Sequence, residues 1–383
     1  MLLVPVDLFE TYQRLEPNKN ERNEAHLSMR KKKIIHSLLP ALICLLLIVS
    51  GCGNTGPNPS SSDSDPQVQG TDSTATGSSA GDHDSLSIML DWYPNAVHSF
   101  IYAAQEKGYF EDQGLDVDIQ MPADTNDALK LVAAGKVDLA LSYQPQILLA
   151  RGEGIPVRSI AAVVRHPLVH LLTETDGKVN SPKDLEGLTV GYSSVPLYEA
   201  MVRTMISQDG GDPDRMNLVD VGFDLIPSLA SGQADGIMGG FINHEQLILE
   251  KEGHAVKSIN PVDYGVPDYY ELVLTASDEG IEAKKDQLTR FVKAIQEGQN
   301  YVTEHPEEAL NILLAHENET SPLDREIETK SLDILLPLMT EEGIPFSWQD
   351  PSSWDNVRKW LVQRELIPDS VQSEDAFINL QEK

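Results

Sequence analysis

From residue 86 onward, short apolar runs alternate with amphipathic stretches of about ten to fifteen residues, the spacing of strands interleaved with helices. Residues 86–90 read as a strand, 97–107 as a helix closed by Gly108, and 115–119 as a half-buried strand in which Leu115, Val117 and Ile119 alternate with aspartates. Further helices are predicted over 126–134, 195–208 and 244–251, and strands over 139–141, 218–221 and 269–276. After residue 276 the pattern turns helical, with segments at 285–303, 306–316, 324–338 and 353–364. This is an α/β pattern.

Part of it is echoed. Ala134-Gly135-Lys136-Val137-Asp138-Leu139-Ala140-Leu141 returns about a hundred residues later as Ser231-Gly232-Gln233-Ala234-Asp235-Gly236-Ile237-Met238, each copy after an apolar-spaced helix. Likewise, Leu188 to Ser193 stands to its helix as Ile88 to Tyr93 stands to the first: strand, polar and aromatic turn, helix. Two lobes of related topology are expected, lobe 1 from 85–180 and 270–383 and lobe 2 from 181–269, joined by two crossing strands that act as a hinge. In open α/β sheets, ligands bind at the carboxyl ends of strands, where the Asp91-Trp92-Tyr93-Pro94-Asn95 turn falls.

The first part of the chain belongs to neither lobe. Met29 is followed by Arg30, Lys31, Lys32 and Lys33, then by an apolar run over 38–49 broken only by Pro40, too short to span a bilayer comfortably. It ends in Val49-Ser50-Gly51-Cys52, which resembles a bacterial lipoprotein box with Cys52 as the lipid acceptor. Residues 29–51 are therefore expected to be a signal peptide. Residues 1–28, with Asp7, Glu10, Glu16, Glu21 and Glu24, do not suit its basic start and read as a misassigned extension. The Gly/Ser/Asp-rich stretch 52–84 lacks the apolar content to fold and reads as a flexible tether.

Composition narrows the function. A net charge of −31 over 383 residues argues against binding nucleic acid. The two cysteines, Cys44 and Cys52, both precede the body, so no disulfide, thiol nucleophile or cysteine metal site is expected within it. The ten histidines fall at no metal-ligand spacing; His166 and His170 flank a proline in strand-like sequence. There is no Gly-x-Ser-x-Gly elbow, phosphate loop or zinc helix, and neither a cofactor nor a catalytic residue is expected.

The segments Leu90 to His98, Lys107-Gly108-Tyr109-Phe110, Gly135-Lys136-Val137-Asp138, Gly191-Tyr192-Ser193-Ser194 with Tyr198-Glu199, and Gly239-Gly240-Phe241 together resemble the solute-binding lipoproteins of ABC importers. More narrowly, the chain is similar to those that capture the aminopyrimidine precursor of thiamine, over almost the whole body. The Gly-Lys-Val-Asp signal is shared with alkanesulfonate and taurine binders, whereas the Asp-Trp-x-Pro-Asn turn points to the pyrimidine group. The resemblance implies a type II periplasmic-binding-protein fold with a ligand cleft. It also implies a monomer held to the outer face of the cell membrane by lipid and working with permease and ATPase subunits. Fungal relatives are enzymes that build the pyrimidine with a cysteine-rich segment; here that place reads Tyr264-Gly265-Val266-Pro267-Asp268-Tyr269-Tyr270, without cysteine, which argues for a binder.

An aminopyrimidine needs aromatic walls and an acceptor for its amine. Trp92, Tyr93, Tyr192, Tyr198 and Tyr270 are candidate walls, core packing being the alternative use of each. Glu199, early in its helix, is the candidate amine acceptor, or else a solvated helix carboxylate. Asn95 suits a ring nitrogen or a helix N-cap, and Ser193 and Ser194 suit a polar ligand tail or capping. His98 reads as a buried core histidine first and a ligand contact second, and by alternation Glu271 faces away from Tyr270, which is preferred for the cleft. Gly239 lets backbone approach a cleft floor, and Tyr143 and Phe241, at the ends of the echoed strands, complete the set. A sulfonate site would instead call for cations, and Arg203 is the nearest.

Overall fold

The computed structural model describes residues 83–124, 127–317 and 322–381. The expected extension over 1–28, the expected signal peptide over 29–51, Cys52 and nearly all of the expected tether lie outside them. The first strands and helices are β1 (Asp84–Met89), α1 (Ser99–Glu106), α2 (Tyr109–Asp112), β2 (Leu115–Gln120), α3 (Asp127–Ala133), β3 (Leu139–Ser142), α4 (Gln144–Gly152) and β4 (Val157–Val164). There follow β5 (Val169–Glu174), β6 (Thr189–Tyr192), α5 (Pro196–Gln208), β7 (Asn217–Asp220), α6 (Leu225–Ala230), β8 (Gly236–Phe241), α7 (Glu245–Lys251) and β9 (Val256–Ile259). β10 (Leu272–Ser277), α8 (Asp278–Glu304), α9 (Pro306–Ala315), α10 (Arg325–Met339) and α11 (Pro351–Gln363) complete the chain.

The strands form two five-stranded sheets, ordered β2-β1-β3-β10-β4 and β7-β6-β8-β5-β9. In each, three parallel strands lie beside an antiparallel strand that enters from the other half of the molecule: β10 runs against β3 and β4, and β5 against β8 and β9. The echoed sequences occupy matching places, β1 with β6 and β3 with β8. The shared Gly-x-x-Asp has a common mechanism. Gly135 and Gly232 take φ of +62° and +72°, and the aspartate three residues on ties down the neighbouring strand. Asp138 accepts from Ser87 N at 2.9 Å and Asp235 from Thr189 N at 3.0 Å.

Two expectations are corrected. Residues 169–174 were expected in the first lobe but form β5 of the second sheet, so the chain crosses at 165–168. An apolar strand carries no mark of which sheet it will complete; pairing with β8 and β9 decides it. The strand expected from residue 269 begins at Leu272, because Tyr270 N and Gln144 N are spent in a reciprocal pair of bonds, to Gln144 Oε1 at 2.8 Å and Tyr270 O at 3.2 Å.

The late helices return to the first sheet. α8 lies against α1 at such close range that a Cβ on Gly298 would stand 2.2 Å from Phe100 O. α10 packs on the 3-10 turn Ala96–His98 and reaches α7, where Asn243 Nδ2 donates to Ser331 Oγ at 2.9 Å.

Candidate functional site

A cavity lies where the two sheets present their strand ends. Asp91, Trp92 and Asn95 reach it from the turn after β1, Tyr143 from the end of β3, Ser193 from the end of β6 and Tyr198 from α5. Gly239 and Phe241 on β8 and His244 and Glu245 at the start of α7 close it. All the contributing strands point their carboxyl ends at the cavity, as open parallel sheets require.

The turn after β1 folds as its residues dictate. Asn95 caps the 3-10 turn by accepting from Val97 N at 3.0 Å, while His98 Nδ1 accepts from Asn95 N at 3.2 Å. That bond leaves the ring proton on Nε2, from where it is donated to Asp91 Oδ1 at 3.0 Å; Tyr143 donates its hydroxyl to Asp91 Oδ2 at 3.1 Å. Asp91 is thus held from both sides at the cavity wall. On β8, Gly239 takes φ of +111°, and a Cβ there would meet Ser193 Oγ at 2.7 Å and the Tyr198 ring at 2.9 Å. Only glycine lets the strand pass this close to the wall.

Burial, with the charges of Asp91 and Glu271 nearby, holds the Tyr143 and Tyr198 hydroxyls well above their ordinary range, so both stay protonated. Glu245 Oε2 accepts from Phe241 N at 2.7 Å, and Oε1 lies 2.9 Å from His244 Nδ1. Burial opposes charging of His244, but the adjoining Glu245 carboxylate outweighs it and raises the imidazole above its usual value.

Tyr93 packs against Trp92 and Phe223 outside the lining; of the twelve further candidates in the sequence, seven line this cavity: Trp92, Asn95, Tyr143, Ser193, Tyr198, Gly239 and Phe241. The other five do not. His98 sits behind the wall, wholly buried against Asp91. Glu199, next to inward-facing Tyr198, projects from the outer face of α5, 43% exposed, and pairs with Arg203 at 2.9 Å. Tyr192 is half-buried at the end of β6. Ser194, at φ +52°, donates to Asp220 Oδ1 at 2.6 Å. Tyr270 lies in a separate cavity beside the crossing segments, where its oxygen accepts from Asp350 N and the Arg165 guanidinium stands 5.3 Å from its ring centroid.

Tyr270 and Glu271 both precede β10, which begins at Leu272, so strand alternation does not govern them, and neither lines this cavity. Glu271 is the fully buried one, accepting from Leu168 N at 2.7 Å, Val169 N at 2.8 Å and Tyr269 Oη at 3.0 Å. Beside Asp91, the carboxylate that lines the cavity from the second sheet is Glu245. Its only sequence signal is an acid in the first turn of the helix after the Gly-Gly-Phe strand.

A pocket walled by rings, carrying carboxylate acceptors from both sheets and having no arginine or lysine among its described lining residues, suits a flat ligand rich in N–H donors. The two sheets with a cavity between their strand ends define the periplasmic-binding-protein fold. The alkanesulfonate-binding protein SsuA of Xanthomonas axonopodis pv. citri superposes with a TM-score of 0.61 at 13% identity, over 78% of this chain and all of that one. The sequence profile of the NMT1/THI5 like family matches residues 95–309, and the chain belongs to that family. It is 46% identical over 298 residues to the formylaminopyrimidine-binding protein of Halalkalibacterium halodurans, covering 78% of this chain and 90% of that one. A Legionella pneumophila 4-amino-5-hydroxymethyl-2-methylpyrimidine phosphate synthase is 26% identical over 77% of this chain and 91% of its own.

Proposed function

We propose that this chain is the solute-binding component of an ABC importer. Its ligand is N-formyl-4-amino-5-aminomethyl-2-methylpyrimidine or a close relative, gathered for thiamine salvage. The observation that carries the reading is the cavity between the sheets, with carboxylates and rings but no arginine or lysine among its described lining residues. Glu245 accepts the exocyclic amine, Asn95 meets a ring nitrogen, and Trp92, Tyr143, Tyr198 and Phe241 supply the walls. The same lining disfavours a sulfonate, which calls for cationic donors. Binding rather than synthesis is favoured because residues 264–270 hold no cysteine and both ring nitrogens of His98 are engaged inside the wall. Each sheet with its helices forms one lobe, the crossing segments form the hinge, and lipid on Cys52 holds the monomer on the outer membrane face.

Thermal unfolding of the whole chain with a panel of ligands tests this. At a hundredfold excess over Kd, a ligand confined to the folded state adds about 2.7 kcal/mol. The formylated pyrimidine raises Tm; taurine and alkanesulfonates do not. Glu245→Gln weakens the pyrimidine by about ten- to a hundredfold, the cost of a charged hydrogen bond, whereas Glu199→Ala leaves it within about twofold. A Tm shift with sulfonates alone would sink the pyrimidine reading and keep the clamshell.

A further inference from the structure

Trp92 lies between two environments. One part of it lines the cavity, yet it also packs against the small core cluster of the second sheet, formed by Leu172, Leu225, Leu229 and their neighbours. A residue carried by the first sheet therefore packs against the hydrophobic core of the second. Phe223, in the loop between β7 and α6, meets it there. The Phe223 ring lies 4.5 Å from Trp92 and 4.8 Å from Tyr93, centroid to centroid. Both of these ring partners belong to the other sheet's turn, so the contact spans the two halves of the molecule.

The loop that carries Phe223 is tied to the cavity wall. Asp220 Oδ1 accepts from Gly222 N at 3.1 Å and from Ser194 Oγ at 2.6 Å, and Val221 N donates to Tyr192 O at 2.9 Å. Ser194 follows Ser193, which faces the cavity, and its left-handed φ of +52° is what the bond to Asp220 holds in place. The ring is only half-buried, so it is not a core anchor whose loss would unfold its loop.

We infer that Phe223 is the latch of the cleft: packed at a tilt against Trp92 and Tyr93, it holds the two loops together over an enclosed ligand and sets how long that ligand stays. This rests on the binding-protein reading of the site. Phe223 acts as a positioning residue, through Trp92. Its effect falls on ligand escape more than on capture, since escape requires the packed rings to part whereas encounter takes place with them apart.

The test uses the whole chain with Cys44→Ser and Cys52→Ser, and N-formyl-4-amino-5-aminomethyl-2-methylpyrimidine as probe. In Phe223→Ala, stopped-flow displacement gives a dissociation rate raised about tenfold, with association changed less than about threefold. Phe223→Leu falls between, and the ligand-free Tm stays within about 2 °C of the parent. A second readout needs no ligand. With these two cysteines removed, spin labels at Asp118→Cys on β2 and Ser258→Cys on β9 report the separation of the sheets. Phe223→Ala shifts that distance distribution to longer values. An unchanged dissociation rate overturns the latch. If the parent protein fails to bind the pyrimidine, the ligand assignment falls, and the label distances alone decide: an unchanged distribution then overturns it.

Discussion

Glu271 occupies the least forgiving position in the chain. Burial pushes its carboxyl up to about 7 from an ordinary value of 4.5, against the pull of three donors that all reach Oε2. Oε1 is buried with no hydrogen-bond partner, so the proton of the acid form resides there. A folded-state value above the unfolded one means stability is complete below pH ~4.5 and is lost as pH rises through ~7. The difference is worth about 3 kcal/mol at 1.36 kcal/mol per unit. Glu271→Gln should remove that slope. Denaturant unfolding of the two proteins between pH 4.5 and 7.5 will show the variant gaining about 3 kcal/mol on the parent, and parallel curves would refute it. At this scale, sequence pattern found the right neighbourhoods and missed directions. Alternation set Tyr270 against Glu271, but both precede β10 and neither lines the cavity. Glu199 was a reasonable acid beside Tyr198, but one step along a helix turns a side chain by about 100° and put it in solvent.

At the scale of elements, close approach decides more than propensity. Gly298 lies in the middle of α8, where glycine is intrinsically unfavourable, yet Phe100 O and Ala104 leave no space for a Cβ. Gly298→Ala would gain helix propensity and still destabilise the protein by about 1–3 kcal/mol, because α1 must shift. The thermal midpoint of the variant checks this, and a rise in Tm would contradict it. Strand and helix identities followed readily from periodicity, and the Gly-x-x-Asp echo marked equivalent corners of two sheets, since the same backbone turn and the same strand-tying bond recur. What periodicity left open was sheet membership. β5 is apolar enough to suit either sheet, and only its pairing with β8 and β9 assigns it.

For the whole molecule, the acidic balance and the position of both cysteines before the folded body fit the proposed extracytoplasmic receptor on a lipid anchor. Cys52→Ser should move the protein from the membrane fraction to the aqueous one in the producing cell while leaving the pyrimidine-induced Tm shift intact. Retention in the membrane would exclude lipid at Cys52 as the anchor. Sequence alone determined the α/β class, the doubled topology and the turn that carries Trp92 and Asn95, because hydrophobic period and turn chemistry are local properties of the chain. The tertiary structure decided which carboxylate faces the cavity, that Tyr270 belongs to another cavity, and that Phe223 meets Trp92 across 131 residues of chain. Those outcomes depend on how two sheets are set against each other, and no periodicity within either one encodes it.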